Sequence, residues 1–223
     1  MKKILMVTLL SLAISTTAMA KVKFIQKPDK SYDFKEVKNI VIMPVTSKNV
    51  DFGKVDKDRM PKIETLLTKT KDTLRKNMIE GTKKAKTTIP FHYNAPNRKP
   101  TTLIMKYNID QFDNGNAAAR LVPLAGKAKV TMTVELINAK DKSVIGVLQA
   151  SAKAKGGFVG GGLDSEVLWH ATNMANGDIM QYIKKQTGLD YSFWAGAAAG
   201  TKTAVKDQKE MMKEEKQELK KKK

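Results

Sequence analysis

A glycine-rich run precedes the last predicted helix of this chain. It reads GGFVGGG over residues 156–162, and the free backbone N–H groups of such a run attract phosphate. No Gly-Lys-Ser/Thr sequence and no G-x-G-x-x-G spacing accompanies it, and Asp164 and Glu166 place negative charge where a phosphate would bind. We interpret the run as a strand-to-helix loop. Its last three residues remain candidate interaction residues: Gly160, Gly161 and Gly162.

His170 follows Glu166 by four residues, which places both on one face of a helix. This spacing can orient an imidazole for acid–base chemistry. Ser165 has no G-x-S-x-G context that would make it a nucleophile, so a surface ion pair is the favoured interpretation. The carboxylates of Asp110, Asp113 and Asp178 have no separation that a sequence can measure. We assign no catalytic residue and predict that the protein is not an enzyme.

Arg120 lies in a predicted loop between Gly115 and Gly126, next to three alanines that leave its guanidinium the largest group nearby. It can bind an anionic partner. It can equally tie the loop to a carboxylate such as Asp113. Arg120, Gly115 and Gly126 therefore join the candidate interaction residues, with both interpretations open.

The residue counts exclude several kinds of site. The 223 residues contain no Cys and two His, so a disulfide framework, a thiolate zinc site, an iron–sulfur cluster and a multi-histidine metal centre are excluded. We expect no metal and no cofactor. The 41% hydrophobic content is compatible with a folded core.

The first twenty residues have the three parts of a secretory signal peptide. Lys2 and Lys3 supply positive charge, residues 4–14 are apolar, and Thr16–Ala20 ends in an Ala-x-Ala pattern. We predict cleavage after Ala20 and a periplasmic or secreted location. No later apolar run reaches the roughly 20 residues of a membrane-spanning helix, so we expect none in the mature chain.

The charge is strongly positive, with 41 Lys and Arg against 22 Asp and Glu. The four arginines are Arg59, Arg75, Arg98 and Arg120, and every other basic residue is a lysine. Bidentate recognition of phosphate or guanine prefers arginine. We therefore expect no nucleic-acid partner, and interpret the charge as solubility with weak attraction to anionic lipid or polymer.

The patterns predict an α+β domain over residues 37–188, in the order β-α-β-β-β-α, with one mixed or antiparallel sheet and two helices on one face. Residues 21–36 form a lead-in with at most a short edge strand. VKNIVIMPV at 37–45 predicts a buried strand. A helix follows over about 59–80, with Pro61 in its first turn, Asp56 or Asp58 as a cap or dipole-matched acid, and Gly81 able to close it. Its apolar stripe is Ile63, Leu67, Thr70, Leu74 and Met78, and a polar connector that contains His92 follows over residues 81–100. Three alternating segments predict the other strands, the last two as a hairpin. Asp164 begins the second helix and Gly188 ends it.

The C-terminal region differs in composition from the domain. Residues 189–201 form a linker of small and aromatic residues that includes Trp194, and residues 202–223 form a tail with nine Lys and five acidic residues. Trp194 can lie at lipid headgroup level with lysines on anionic lipid. The favoured interpretation is a hinge followed by a charged tail that is helical at best in part.

Residues 101–187 resemble a bacterial exported family of unknown function, DUF4410. The motifs are IDQF at 109–112, Gly115, Arg120, GKA at 126–128, the alternating hairpin, the glycine run and the closing amphipathic helix. The resemblance implies an envelope location and an unassigned function. Two classes stay open: a non-catalytic envelope protein that engages unknown envelope proteins, and a peripheral module on anionic lipid or cell-wall polymer. An envelope hydrolase is the third and least supported alternative.

Overall fold

The computed structural model describes residues 22–55, 57–95, 99–115, 127–154 and 164–192, which form six strands and two helices. The strands are β1 (Lys23–Gln26), β2 (Asn39–Ile42), β3 (Phe91–Tyr93), β4 (Thr102–Asp113), β5 (Ala128–Asn138) and β6 (Val144–Ala154). The helices are α1 (Met60–Lys84) and α2 (Asp164–Thr187), and a single 3-10 turn covers Phe34–Glu36.

The strands form one mixed sheet in the order β1-β6-β5-β4-β2-β3. β2 runs parallel to both β3 and β4, whereas β4, β5, β6 and β1 pair antiparallel. The prediction of an α+β fold with one mixed sheet is confirmed. The sheet also contains two short edge strands: β1, within the lead-in where at most a short edge strand is predicted, and β3, which the predicted order lacks.

The long strands of the hairpin, β5 and β6, form where the sequence alternates. Ala128, Val130, Met132, Val134 and Leu136 are buried on one side of β5, as a period of two requires. The turn after β5 is fixed by Asn138, whose carbonyl oxygen accepts from the Lys142 N–H at 2.9 Å. Lys142 adopts φ +64° to complete it. The predicted antiparallel hairpin is confirmed.

β4 contains a bulge, because its register with β5 shifts between Ile109 and Gln111. Ile109 and Phe112 are both fully buried although two residues separate them. Asp110 is the extra residue of the bulge. Strict alternation would have directed Gln111 into the core, and the bulge instead places both Asp110 and Gln111 on the opposite side.

Helix α1 is amphipathic and longer than predicted. The expected stripe is buried, namely Ile63, Leu67, Thr70, Leu74 and Met78, and a proline occupies the first turn as predicted. Asp58 does not cap the helix, because the N-cap is Arg59 and no side-chain cap hydrogen bond is present; Asp56 lies outside the described residues. Gly81 does not end the helix either, since α1 continues to Lys84.

Helix α2 has the bounds that its sequence predicts. It begins at Asp164 and ends at Thr187, and Gly188 follows with φ +76°. The Gly188 N–H donates to the Lys184 carbonyl at 2.9 Å, a glycine-terminated end that L side chains rarely adopt. The chain then stays on the domain, because Leu189 and Tyr191 are buried.

Both helices pack on the same face of the sheet, as predicted. Their apolar stripes and the inward side chains of β2, β4, β5 and β6 make one hydrophobic cluster. The other face of the sheet contributes only a small second cluster of Ile104, Ile137 and Ala139. The described residues therefore form two layers, and neither α1 nor α2 lies over the second face of the sheet.

Candidate functional site

The uncovered side of the sheet, which we call the open face, is organised in rows across the strands. At the end near the β5–β6 turn, the row is apolar and aligns Val41, Ile104, Ile137 and Val144. The next row aligns Lys106, Glu135 and Val147, and Lys106 and Glu135 form an exposed ion pair at 3.8 Å. At the far end the aligned residues are charged: Asp113, Lys129 and Lys153.

The middle of the open face carries six polar side chains that we call the polar grid. Its members are Asn108, Asp110, Gln111, Thr131, Thr133 and Ser151. All six lie on β4, β5 or β6 and are half-buried or buried. Alternation along the strands places each of them on the side away from the helices, and the β4 bulge adds Asp110.

Asp110 is the acceptor at the centre of the grid. Its carboxylate accepts from the Thr133 hydroxyl on β5 and from the Asn108 side-chain amide at 2.7 Å. These bonds join two strands and fix the carboxylate through charge-assisted contacts.

A second line of hydrogen bonds crosses three strands. The Thr131 hydroxyl lies 3.0 Å from the Ser151 hydroxyl and 3.4 Å from the Gln111 side-chain oxygen. The Gln111 amide nitrogen donates to Asp51 at 3.0 Å. The hydrogen bonds between the grid side chains therefore restrict their rotation.

The loop after β2 is tied to the open face by the same residues. The Thr46 hydroxyl donates to the Asn108 side-chain oxygen at 2.8 Å, and the Lys48 N–H donates to the same atom at 2.9 Å. Isolated bridges pair Thr46 with Asn108 and Asp51 with Gln111. The loop thus extends the open face beyond the edge of β4.

A different polar cluster lies between the two helices. Asn77 of α1 donates to Asn173 of α2 and accepts from the Tyr191 hydroxyl, and Asn176 contacts the same hydroxyl at 3.5 Å. All four residues are buried. Burial raises the pKa of the Tyr191 hydroxyl, against a smaller lowering by the hydrogen bond from Asn176, so Tyr191 stays neutral and serves as a hydrogen-bonding link.

Gly81 makes room for Tyr191. An added Cβ at Gly81 would lie 2.3 Å from the Tyr191 ring, closer than real Cβ atoms approach. The Ser192 N–H also donates to the Gly81 carbonyl at 3.0 Å. Gly81 therefore leaves space for the Tyr191 ring from a position within α1. We call this contact the Gly81–Tyr191 clasp.

Burial also changes the pKa of an acidic group, Asp178 on α2. Burial raises the pKa of its carboxyl to about 6. Among the described residues, its Oδ2 atom is buried and has no hydrogen-bond partner. The side chain as a whole is half-buried.

Of the interaction residues predicted from the sequence, the structure describes Gly115. Gly115 has φ +66°, and its N–H donates to the Asp113 carboxylate at 2.7 Å. That bond closes a local turn at the end of β4. The remaining candidates lie outside the described residues: Arg120, Gly126, Gly160, Gly161, Gly162 and Trp194. His170 is exposed on α2.

Sequence reasoning missed the polar grid. The alternation of β5 indicates that Thr131 and Thr133 face away from the core. Which side chain lies beside which depends on the strand register and on the bulge, and neither is visible in a single sequence. Among the described residues, no three His, Cys, Asp or Glu side chains are grouped to hold a metal ion, and no described helix is long and apolar enough to cross a membrane.

Comparison with known proteins identifies a family. The model of the family described as domain of unknown function, DUF4410, matches residues 21–157. The match reaches farther toward the N-terminus than the resemblance at residues 101–187, and it ends before α2. No curated protein matches this chain.

Solved structures with similarity to the chain are distant in sequence. A PelC dodecamer from Paraburkholderia phytofirmans is 12% identical with a TM-score of 0.39, over 76% of this chain and 99% of that one. A DUF330-family protein from Xanthomonas campestris is 9% identical with a TM-score of 0.37, over 75% of this chain and 97% of that one.

Proposed function

We propose that this chain, which belongs to the family of domains of unknown function DUF4410, is exported and works in the cell envelope as a non-catalytic interaction module. Its partner is another envelope protein, bound on the open face of the sheet. The observation that carries the proposal is the polar grid, whose side chains are hydrogen-bonded to one another on a face that neither α1 nor α2 covers.

Two features support export. The first twenty residues have the charged, apolar and small-residue parts of a signal peptide. The family match begins at residue 21, the residue that follows the predicted cleavage site.

The geometry of the open face supports a binding role. Side chains that are already hydrogen-bonded to each other lose little conformational entropy when a partner binds. The face offers hydroxyl and amide groups in its middle and both signs of charge at its far end, where Asp113, Lys129 and Lys153 align. A protein surface with polar groups and mixed charges complements this pattern.

The same hydrogen bonds support a non-catalytic role. A catalytic carboxylate or hydroxyl must reach a substrate atom. The Asp110 carboxylate is engaged by Thr133 and Asn108, and the Thr131 hydroxyl is engaged by Ser151 and Gln111. Because these groups are hydrogen-bonded to each other, we interpret them as part of a binding surface and not as catalytic groups.

Site-specific photocrosslinking in intact cells tests the proposal. A photoreactive amino acid replaces Lys129 or Lys153 on the open face, and Gln181, an exposed residue of α2, provides the control position. We expect both open-face positions to capture the same protein, identified by mass spectrometry, and the Gln181 position not to capture it.

A second variant connects the capture to the grid. Gln111→Ala removes the link between Asp51 and Thr131, so we expect capture from Lys153 to fall while circular dichroism of the purified protein stays unchanged. Equal crosslinking from the open face and from Gln181 would contradict the proposal, as would capture that Gln111→Ala leaves intact.

A further inference from the structure

Two lysines lie opposite each other on β5 and β6, at the far end of the open face. The register pairs Lys129 directly with Lys153. Both side chains are on the side away from the helices, because the next residues along the strands, Val130 and Ala152, are buried in the core. Like charges at directly opposite positions of a sheet are destabilising. We call these two residues the lysine pair, and an anion bound between them would relieve their repulsion.

A neighbouring acidic residue offsets part of this positive charge. Asp113 of β4 is the other cross-strand neighbour of Lys129, and its carboxylate accepts from the Gly115 N–H at 2.7 Å. The aligned residues therefore carry two positive charges and one negative charge. The charged row at the opposite end of the polar grid is different, because Lys106 and Glu135 form an ion pair there at 3.8 Å.

Two hydroxyl groups lie beside the lysine pair, two residues away along the same strands. Thr131 is paired with Ser151 in the register, and their hydroxyl oxygens are 3.0 Å apart. Either hydroxyl can be the donor of that bond, and when Thr131 donates, the Ser151 proton is available to a ligand. Cross-strand Cβ atoms are about 5 Å apart, and alternate residues of a strand are about 7 Å apart. The four side chains therefore surround a region that one small anionic group can fill.

We propose that the lysine pair and the Ser151 hydroxyl bind a carboxylate of an acidic segment in the partner protein. The inference rests on the proposed function, because it concerns the same face, and it specifies the chemistry of the partner as exposed Asp or Glu side chains. Lysine stems are flexible, so the two ammonium groups can separate in the free protein and converge on a carboxylate when the partner binds. Hydrogen bonds from ammonium groups to a carboxylate are among the strong ones.

The observations favour an acidic protein segment over a nucleic acid or a lipid surface. Two lysines make a small positive site, whereas duplex DNA carries one charge per about 1.7 Å of its axis. Binding at a bilayer surface inserts apolar side chains, and the exposed large apolar residue described on β4, β5 or β6 is Val144, at the opposite end of the open face. The hydroxyl and amide groups of the polar grid, next to the lysine pair, suit the polar groups of a protein surface.

Photocrosslinking in intact cells from Gln149 tests the inference with the cellular partner. Gln149 is a half-buried residue of β6 on the open face, outside the lysine pair. The pair variant carries Lys129→Gln and Lys153→Gln. The control variant carries Lys76→Gln and Lys83→Gln, at two exposed lysines of α1, and loses the same net charge.

We expect the pair variant to capture the partner about tenfold less than wild type does, and the control variant to stay within about twofold. Undiminished capture by the pair variant would overturn this inference and leave the proposed function in place. Absence of capture by the wild-type protein would contradict the proposed function itself. A crosslinker placed at Lys129 or at Lys153 removes one of the two ammonium groups, so capture from those single positions agrees with both proposals.

Binding of a hexaglutamate peptide to the purified protein tests the carboxylate site without the cellular partner, and backbone amide shifts in NMR spectra locate the peptide. We expect shifts at residues 129–131 and 151–153 that the pair variant loses and the control variant keeps. The same peptide with Gln in place of Glu should not cause them. Equal losses in the two variants would show that net charge alone is responsible, and this would overturn the inference. Tighter binding of inorganic phosphate or of trigalacturonate at the same residues would also overturn it.

Thermal unfolding followed by circular dichroism shows that both variants are folded and tests the repulsion within the lysine pair. Because the pair variant removes two like charges at opposite positions, its thermal midpoint should equal or exceed that of wild type. A midpoint below that of the control variant would mean that the lysine pair stabilises the free protein, and this would contradict the inference that the pair is an anion site.

Discussion

At the scale of the single residue, Asp178 carries a carboxyl group that α2 partly removes from water. Its ordinary pKa of 3.8 is raised to about 6 by burial, so the folded protein holds this proton more tightly than the unfolded chain does. The free energy of unfolding therefore falls as pH rises from about 4 to about 6 and changes little from this source above that range.

Replacing Asp178 with Asn removes the cost of burying the charge. Because the side chain is half-exposed, solvent screening limits this cost to about 1 kcal/mol at pH 7.5. We expect Asp178→Asn to raise the free energy of unfolding by this amount at pH 7.5 and by much less at pH 4. Urea unfolding at the two pH values measures both.

The exposed Asp72 of α1 provides the matched control for this measurement. Asp72→Asn removes one exposed negative charge, so we expect it to stabilise the protein less than Asp178→Asn does at pH 7.5. A loss of stability in Asp178→Asn at pH 7.5 would instead mean that the charged form of Asp178 is favoured by the fold.

At the scale of the elements, the Gly81–Tyr191 clasp reverses the usual effect on stability of replacing a helical glycine with alanine. Alanine in a helix interior is more favourable than glycine by about 1 kcal/mol. At Gly81, the alanine Cβ would meet the Tyr191 ring. We expect Gly81→Ala to lower the free energy of unfolding by about 1–3 kcal/mol, measured by urea denaturation.

A double-mutant cycle isolates the contact. In a Tyr191→Ala background the ring is absent, so Gly81→Ala should raise the free energy of unfolding by about 0.5–1 kcal/mol. If Gly81→Ala were stabilising in both backgrounds, the ring would not pack against Gly81 and the clasp would not exist.

The long elements were easier to predict than the two short edge strands. β5, β6 and α2 have many residues that repeat one period, and their apolar faces are buried as that period requires. β1 and β3 contain four and three residues, too few for alternation to show. His92, predicted to lie in a connector, is in β3 because β2 offers that segment a parallel partner.

The prediction of the ends of α1 was wrong at one glycine and one acidic residue. Gly81 resembles a helix terminator in the sequence, but in the structure it leaves space for the ring of Tyr191, a residue that follows the end of α2. Asp58 stands where a cap belongs, yet Arg59 is the N-cap. Tertiary contacts between distant segments decided the first case, and no local pattern reports such contacts.

At the scale of the whole molecule, the two sides have different chemistry. The open face has a hydrogen-bonded polar grid, while the helical side has the buried asparagines and the Gly81–Tyr191 clasp. Composition predicted the positive charge but not its distribution. For the candidate site, the sequence predicts only that the residues are polar and point away from the core. Their alignment depends on the register of β4, β5 and β6, which a single sequence does not show.

Export is the central claim, because a partner in the envelope is accessible only to a protein that leaves the cytosol. The most direct test is to purify the protein from fractionated cells and determine its first residue by mass spectrometry. We expect the chain to begin at Lys21 and to be recovered from the periplasmic, envelope or culture fraction. Recovery of a cytosolic chain that still carries residues 1–20 would contradict the account.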